Sequence, residues 1–292
     1  MTPKEIVIVS GKGGTGKTCI MAALCSSFSG KAVFCDVDVD APNLQLLLHP
    51  QDEQAFSFTG RKIPEIDTER CTVCGGCVGF CRFNALEKAD NGITSLPWKC
   101  EGCGGCALVC PHQAISMHSY EQGQYWRGTT TYGPLWHARL HAGEENSGML
   151  VARLKKESRK EALKEGVPVI VIDGPPGISC PAISALTGTT LAVAVTEPSL
   201  SGLHDLLRLS KLCASLDVPL AIVLNKSDLS EAKGEEIKNE AKKENWHFLG
   251  SIPFRPNVVE AISKKEIPLE ALSPEIDSIY NNLTNLINII KR

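Results

Sequence analysis

The sequence predicts an α/β fold, a doubly wound and mostly parallel sheet, with a smaller cysteine-rich segment inserted into it. Three observations carry this. Uninterrupted apolar runs at 5–10, 32–35, 167–172, 191–195 and 220–224 alternate with helical stretches, as strands covered on both faces do. A glycine-rich turn at 11–16 joins the first strand to the first helix. Between residues 51 and 131 that rhythm stops, and eight of the chain's 13 cysteines fall between Cys71 and Cys110. A chain of 292 residues suits one large domain, expected at 1–55 and 132–292, and a small insertion at 56–131.

Taken in order, Ile6-Val7-Ile8-Val9 is the centre of the first strand, and small and apolar residues make 17–28 a helix. The strand 32–35 leads into an acidic loop, Asp36-Val37-Asp38-Val39-Asp40. Met149, Leu150, Leu154 and Leu163, set among many Lys and Arg, make 147–164 an amphipathic helix. Ser273 and Pro274 form a cap and first-turn pair for a final helix, with Ile276, Ile279, Tyr280, Leu283, Leu286, Ile287 and Ile290 on one face. Only Lys291 and Arg292 are basic beside it, so it is expected to dock on its own domain rather than on lipid.

Composition narrows the function. Hydrophobic residues make up 43% and charged residues 22%, an ordinary globular balance. Thirty basic against 33 acidic residues leave a net charge of -3, which argues against a nucleic-acid-holding protein. No apolar run reaches the roughly 18 residues of a membrane span. The chain enters its first strand with no signal-peptide pattern, so a cytoplasmic protein with no stable membrane insertion is expected. Cysteine at this density, without an export signal, points to metal rather than to disulfides.

Gly11-Lys12-Gly13-Gly14-Thr15-Gly16-Lys17-Thr18 satisfies the phosphate-loop pattern and stands between a strand and a helix, as that motif requires. Glycines let backbone N–H groups converge on phosphate oxygens at a helix N-terminus. Lys17 is expected on the β- and γ-phosphates and Thr18 on Mg²⁺. With its second lysine, Lys12, the loop resembles the deviant Walker A loop of the family that includes MinD septum-site proteins, ParA partition ATPases, Mrp-type iron–sulfur carriers and the nitrogenase iron protein. That resemblance implies a MinD-like P-loop NTPase fold, slow ATP hydrolysis and a nucleotide-sandwich homodimer in which Lys12 acts in trans. It also implies that Asp38, in a D-x-D, aligns the attacking water, that Asp173 serves Mg²⁺, and that Asn225 reads the base. Asn225-Lys226-Ser227-Asp228 also matches the guanine signature of GTPases, so ATP and GTP both stay open, with the family favouring ATP.

Cys71-x-x-Cys74-x-x-Cys77-x-x-x-Cys81 and Cys100-x-x-Cys103-x-x-Cys106-x-x-x-Cys110-Pro111 are two copies of the bacterial ferredoxin run. On that pattern a small α+β, ferredoxin-like domain holds two [4Fe–4S] clusters, one on Cys71, Cys74, Cys77 and Cys110, the other on Cys81, Cys100, Cys103 and Cys106. Zinc is the competing metal for Cys-x-x-Cys pairs, although its sites lack this tight run. Cys19, Cys25, Cys35 and Cys213 read as small core residues.

Cys180 follows Asp173 by seven residues, the spacing at which the nitrogenase iron protein carries a cluster-bridging cysteine. The resemblance therefore implies a transient cluster at the dimer, with a packing or solvent-facing thiol as the other reading. The stretches 137–148 and 196–205 resemble the ferredoxin-bearing branch of the family, some members of which are similar to ATPases of the orange-protein system of anaerobes. His137, His141, Glu144 and Glu145 read either as lining a metal or partner site or as a solvated loop. Three functions compete: nucleotide-gated electron transfer with a redox partner, assembly or delivery of a metal cluster, and a positioning ATPase with structural clusters.

Overall fold

The computed structural model describes residues 2–144 and 147–290. The chain forms two compact units, Met1–Ala55 with Tyr125–Arg139 and Ser147–Arg292, and Phe56–Gln124 with Leu140–Asn146.

The larger unit is built on a sheet whose central strands are the predicted apolar runs. They are β1 (Lys4–Ser10), β2 (Ala32–Asp36), β10 (Val169–Pro176), β11 (Leu191–Thr196) and β12 (Leu220–Asn225). With β3 (Gln51–Phe58), β8 (Gly123–Thr129), β9 (Pro134–Leu140) and β13 (His247–Ile252) they form nine strands in the order β13-β12-β11-β1-β10-β2-β9-β8-β3. The pairs from β13 through β12, β11, β1, β10 and β2 to β9 are parallel. Alternate residues of each strand serve opposite faces. Ile6, Ile8, Val171 and Val193 pack with α1 (Lys17–Ser27), α2 (Leu44–Leu48) and α10 (Leu269–Ile289). Val7, Val9, Ile170 and Ile172, equally buried, point the other way. Also in this unit are α5 (Ser147–Glu165), α6 (Cys180–Leu186), α7 (Leu200–Ser215), α8 (Glu231–Lys243) and α9 (Pro256–Ser263). Ser199 and Ser230 cap α7 and α8 by accepting from the N–H groups of Gly202 and Lys233.

In the smaller unit β4 (Lys62–Ile66) pairs antiparallel with β7 (Ile115–Ser119), and β5 (Leu86–Ala89) with β6 (Gly92–Ser95). Two single-turn helices, α3 (Gly76–Phe80) and α4 (Gly105–Leu108), each follow a left-handed glycine, Gly75 or Gly104.

The structure differs from the sequence reading at the sheet edges, at the start of the final helix and at the end of β10. β3, β8, β9 and β13 lie towards the sheet edges, and most are partly exposed, so they lack the unbroken apolar runs that mark central strands. The final helix starts at Leu269, so Pro274 lies inside it and Ser273 is not its cap. Pro274 is the sixth helical residue, so its missing N–H leaves the Glu270 carbonyl without its helical donor. The Arg255 guanidinium donates to the Ala271 carbonyl and pairs with Glu275 at 2.6 Å, bracing this stretch. β10 continues past Asp173 to Pro176, across an irregularity in its pairing with β1. Cys180 is the first residue of α6. The apolar face of α10 is buried as expected, with Ile279 and Leu283 fully inaccessible, and Lys4 donates to the carbonyls of Ile287 and Ile290 at its end. Lys291 and Arg292 lie outside the described residues. Among the described residues no helix is long and apolar enough to cross a membrane.

Candidate nucleotide site and cysteine cavities

All parallel strands of an open α/β sheet end at one edge, and ligands bind in the crevice there. The loop between β1 and α1 lies at that edge. Gly16 sits at φ 90°, and a Cβ on it would overlap the Asn225 side-chain amide, so the position takes only glycine. The Asn225 amide in turn donates to the Thr15 carbonyl at 2.7 Å, tying β12 to the loop.

Lys17 and Asp173 meet at 2.7 Å, and the Thr18 hydroxyl donates to the other Asp173 oxygen at 2.9 Å. Burial acts to lower the Lys17 pKa, but the Asp173 carboxylate outweighs it and the ammonium titrates above its ordinary value. Asp36 is buried beside Asp173 on the neighbouring strand and accepts from the N–H groups of Asp38 and Leu44, both at 3.0 Å. Burial, reinforced by the charge of Asp173, pushes Asp36 up to about 8. Asp38 is likewise raised by burial, with Lys17 partly offsetting it.

A cavity of about 530 Å³ runs over the loop and is lined by Gly13–Thr18, Asp38, Asn43 and Lys265 among others. An apolar cavity of about 260 Å³ shares Gly14, Gly16, Cys19 and Ile262 with it and adds Asn225, Pro253 and Phe254. Expected phosphate-side residues thus line the first and Asn225 the second.

Lys12 pairs with Glu197 at 2.6 Å and donates to the Ser201 hydroxyl at 2.9 Å. Glu197 also holds Lys226 at 3.2 Å. The two lysines pull the Glu197 pKa below its usual range although burial opposes them. Glu197 stands directly after the buried parallel strand β11, at the nucleotide edge of the sheet, and that placement is the signal the sequence carries for it.

The eight motif cysteines line two cavities in the smaller unit. Cys71, Cys74, Cys77 and Cys110 surround one, and Cys81, Cys100, Cys103 and Cys106 surround the other, a space of about 200 Å³. Backbone N–H groups of Ala85, Gly102 and Ala114 donate to the sulfurs of Cys81, Cys100 and Cys110 at 3.3–3.4 Å. Burial raises the Cys77 and Cys106 thiols, and neighbouring cysteines of the same cavity add to it. Among the described residues no three His, Cys, Asp or Glu side chains converge as a single-ion site.

Cys180 is exposed, while Cys25, Cys35 and Cys213 are buried and Cys19 borders both nucleotide-side cavities. His137, far from a solvated loop, is buried in β9, bonded to Glu53 at 2.5 Å and stacked on Trp126. In the smaller unit His141 pairs with Glu121 at 3.5 Å, and Glu144 accepts from Tyr120 and Gln122. Glu145 lies outside the described residues.

The CobQ/CobB/MinD/ParA nucleotide-binding domain matches residues 6–269. The chain belongs to this family. An uncharacterised protein of Methanocaldococcus jannaschii is 33% identical over 290 residues, covering 97% of each chain. A Pyrobaculum islandicum ferredoxin is 46% identical over 55 residues, 18% of this chain and 51% of the ferredoxin. Among solved structures, the fold is similar to the MinD septum-site protein of Pyrococcus horikoshii complexed with Mg-ADP. There the TM-score is 0.59 at 17% identity, with 99% of both chains covered.

Proposed function

We propose that the chain is a slow ATPase of the CobQ/CobB/MinD/ParA family, whose nucleotide-driven dimer switching is coupled to one-electron transfer through two [4Fe–4S] clusters held by the smaller unit. The observation that carries the reading is the partition of eight cysteines into two four-cysteine cavities on a chain that also has a complete phosphate loop.

Mg-ATP is the substrate. Lys17, already buried and charged, exchanges Asp173 for phosphate oxygens, and Thr18 with Asp173 receives the substrate's Mg²⁺. Asp38 lines the same cavity, where it would orient the attacking water. Asn225 and the apolar cavity beside it suit the base. Lys12 must release Glu197 and Ser201 before it can reach a partner's nucleotide, so the resting ion pair opposes premature dimerisation.

The donor set fits the clusters: four cysteines flank each cavity, and three of the eight, Cys81, Cys100 and Cys110, accept N–H···S bonds from the backbone. Each iron of a four-iron cluster takes one cysteine, so the sulfurs need not converge on a point as they do around zinc. When bound, the clusters supply low-potential one-electron chemistry. The partial ferredoxin match supports this reading. The likeness to MinD and to ParA-type ATPases favours a positioning ATPase as the second reading. Cluster assembly, with Cys180 bridging two protomers, rests on an exposed thiol and the family spacing alone.

Anaerobic protein should contain about eight irons per chain, hydrolyse ATP, and show cluster potentials that move on adding ATP. Eight irons with potentials indifferent to nucleotide leave the positioning reading. Labile extra iron lost in Cys180→Ala turns the conclusion to assembly.

A further inference from the structure

We infer that the two cysteine sites are electronically unequal, and that Arg61 holds the second one (Cys81, Cys100, Cys103, Cys106) at the higher reduction potential. The inference rests on the cluster reading above.

The two cysteine loops repeat one backbone. Val73 and Gly102 both lie in the left-handed region, at φ 55° and 69°, as do Asn84 and Gln113, both at 50°. The closing bonds, Ala85 N–H to Cys81 and Ala114 N–H to Cys110, also match. Against this repeat the differences are informative. Gly102 N–H donates to Cys100 Sγ at 3.3 Å, and among the described residues the matching amide of Val73 makes no such bond to Cys71. Because the fourth cysteines cross over, the second site receives two N–H···S bonds and the first receives one.

Arg61 explains why the second loop is held. A Cβ placed on Gly102 would lie 3.1 Å from Arg61 Cβ and 3.0 Å from the Lys62 carbonyl, so the loop rests on this strand with no room to spare. The Pro97 carbonyl accepts from both Cys100 N–H, at 3.1 Å, and the Arg61 guanidinium, at 3.2 Å. In the first copy the Cys71 N–H is accepted instead by the Asp67 carbonyl, at 2.9 Å, and the cation beside it, Arg70, is exposed and pairs with the Asp67 carboxylate at 3.5 Å. Arg61 is only 8% exposed, and its Nε has no hydrogen-bond partner. Its counter-charge, Glu144, is 3.5 Å away and shares its oxygen with Tyr120 at 2.6 Å and Gln122 at 2.9 Å, which disperse its charge. Glu101 is exposed and screened by solvent.

Reduction adds one negative charge to a site, so a buried cation and sulfur-directed N–H groups both raise its potential. Dry walls act in the opposite direction, but carbon lines both cavities, Phe80 and Met117 in one, Ile66 and Ile93 in the other. The charge and the extra hydrogen bond therefore decide the order.

The test is an EPR-monitored redox titration of the anaerobic full chain, with iron counted, in wild type, Arg61→Met, Glu144→Gln and Cys74→Ser. Two one-electron waves are expected. Arg61→Met should lower the upper wave, Glu144→Gln should raise it, and the lower wave should move less in both. Cys74→Ser should change or remove the lower wave only. Should Arg61→Met lose iron, the upward shift in Glu144→Gln still decides the sign. Fewer than about eight irons in wild type overturns the cluster reading and the assignment with it. About eight irons with an upper wave that neither substitution moves, that both move the same way, or that Cys74→Ser alters, overturns the assignment to Arg61 alone.

Discussion

In the function proposed above, Lys17, buried and paired with Asp173, carries phosphate binding. Replacing it by alanine should cut ATP turnover by about 10²-fold or more, read as phosphate release under saturating Mg-ATP, while the fold persists by circular dichroism. His137 predicts a pH effect. Burial lowers its pKa, and the Glu53 pairing only partly restores it. Between the ordinary value of about 6.5 and the lower folded value, the unfolded chain binds more protons than the folded one. Stability is therefore flat above that window and falls as pH drops through it. Urea unfolding at neutral and mildly acid pH should show a shallower acid loss in His137→Gln than in wild type. Cys180 illustrates the limit of spacing: its distance from Asp173 along the chain is legible, whereas its exposure at the start of α6 is a tertiary fact.

Among the elements, α10 is held by its own domain. Leu283 is fully buried in the core with Phe28, Ile276 and Ile279. Leu283→Ala should cost about 2–5 kcal/mol in denaturant midpoint analysis, and a wild-type-like midpoint would contradict the docking of this helix. The apolar stripe of α10 was legible because burial repeats at the helical period. Its start was not, because Ser273-Pro274 resembles a cap locally while Arg255, distant in sequence, braces the turn around it. Edge strands fail for a related reason. Their pairing partners lie far along the chain, and their side chains face water often enough to blur the pattern.

For the whole molecule, the pairing of Lys12 with Glu197 makes a dimer switch testable. Driving a monomer–dimer conformational equilibrium from about 1:99 to 99:1 requires roughly 5.5 kcal/mol of differential binding. In the function proposed above, two triphosphates, each met by Lys12 from across the interface, would supply it. Light scattering with a non-hydrolysable ATP analogue should show a doubled mass in wild type and a monomer in Lys12→Ala. Glu197→Gln should dimerise at lower analogue concentration, since it loosens the resting hold on Lys12. An unchanged wild-type mass, or normal dimerisation of Lys12→Ala, removes the sandwich dimer.

By itself the sequence determined the parallel core, the phosphate loop and the spacing of the eight cysteines. Each of these is written in contiguous residues whose period or spacing is itself the constraint. Only the tertiary structure decided that Asn225 rather than solvent closes over Gly16, that His137 is buried against Glu53, and that Glu197 restrains Lys12. Those contacts join residues up to 210 positions apart. Chain closure over such distances follows from how strands order themselves in the sheet, and β1 lies between β11 and β10 for reasons that no local stretch of sequence contains.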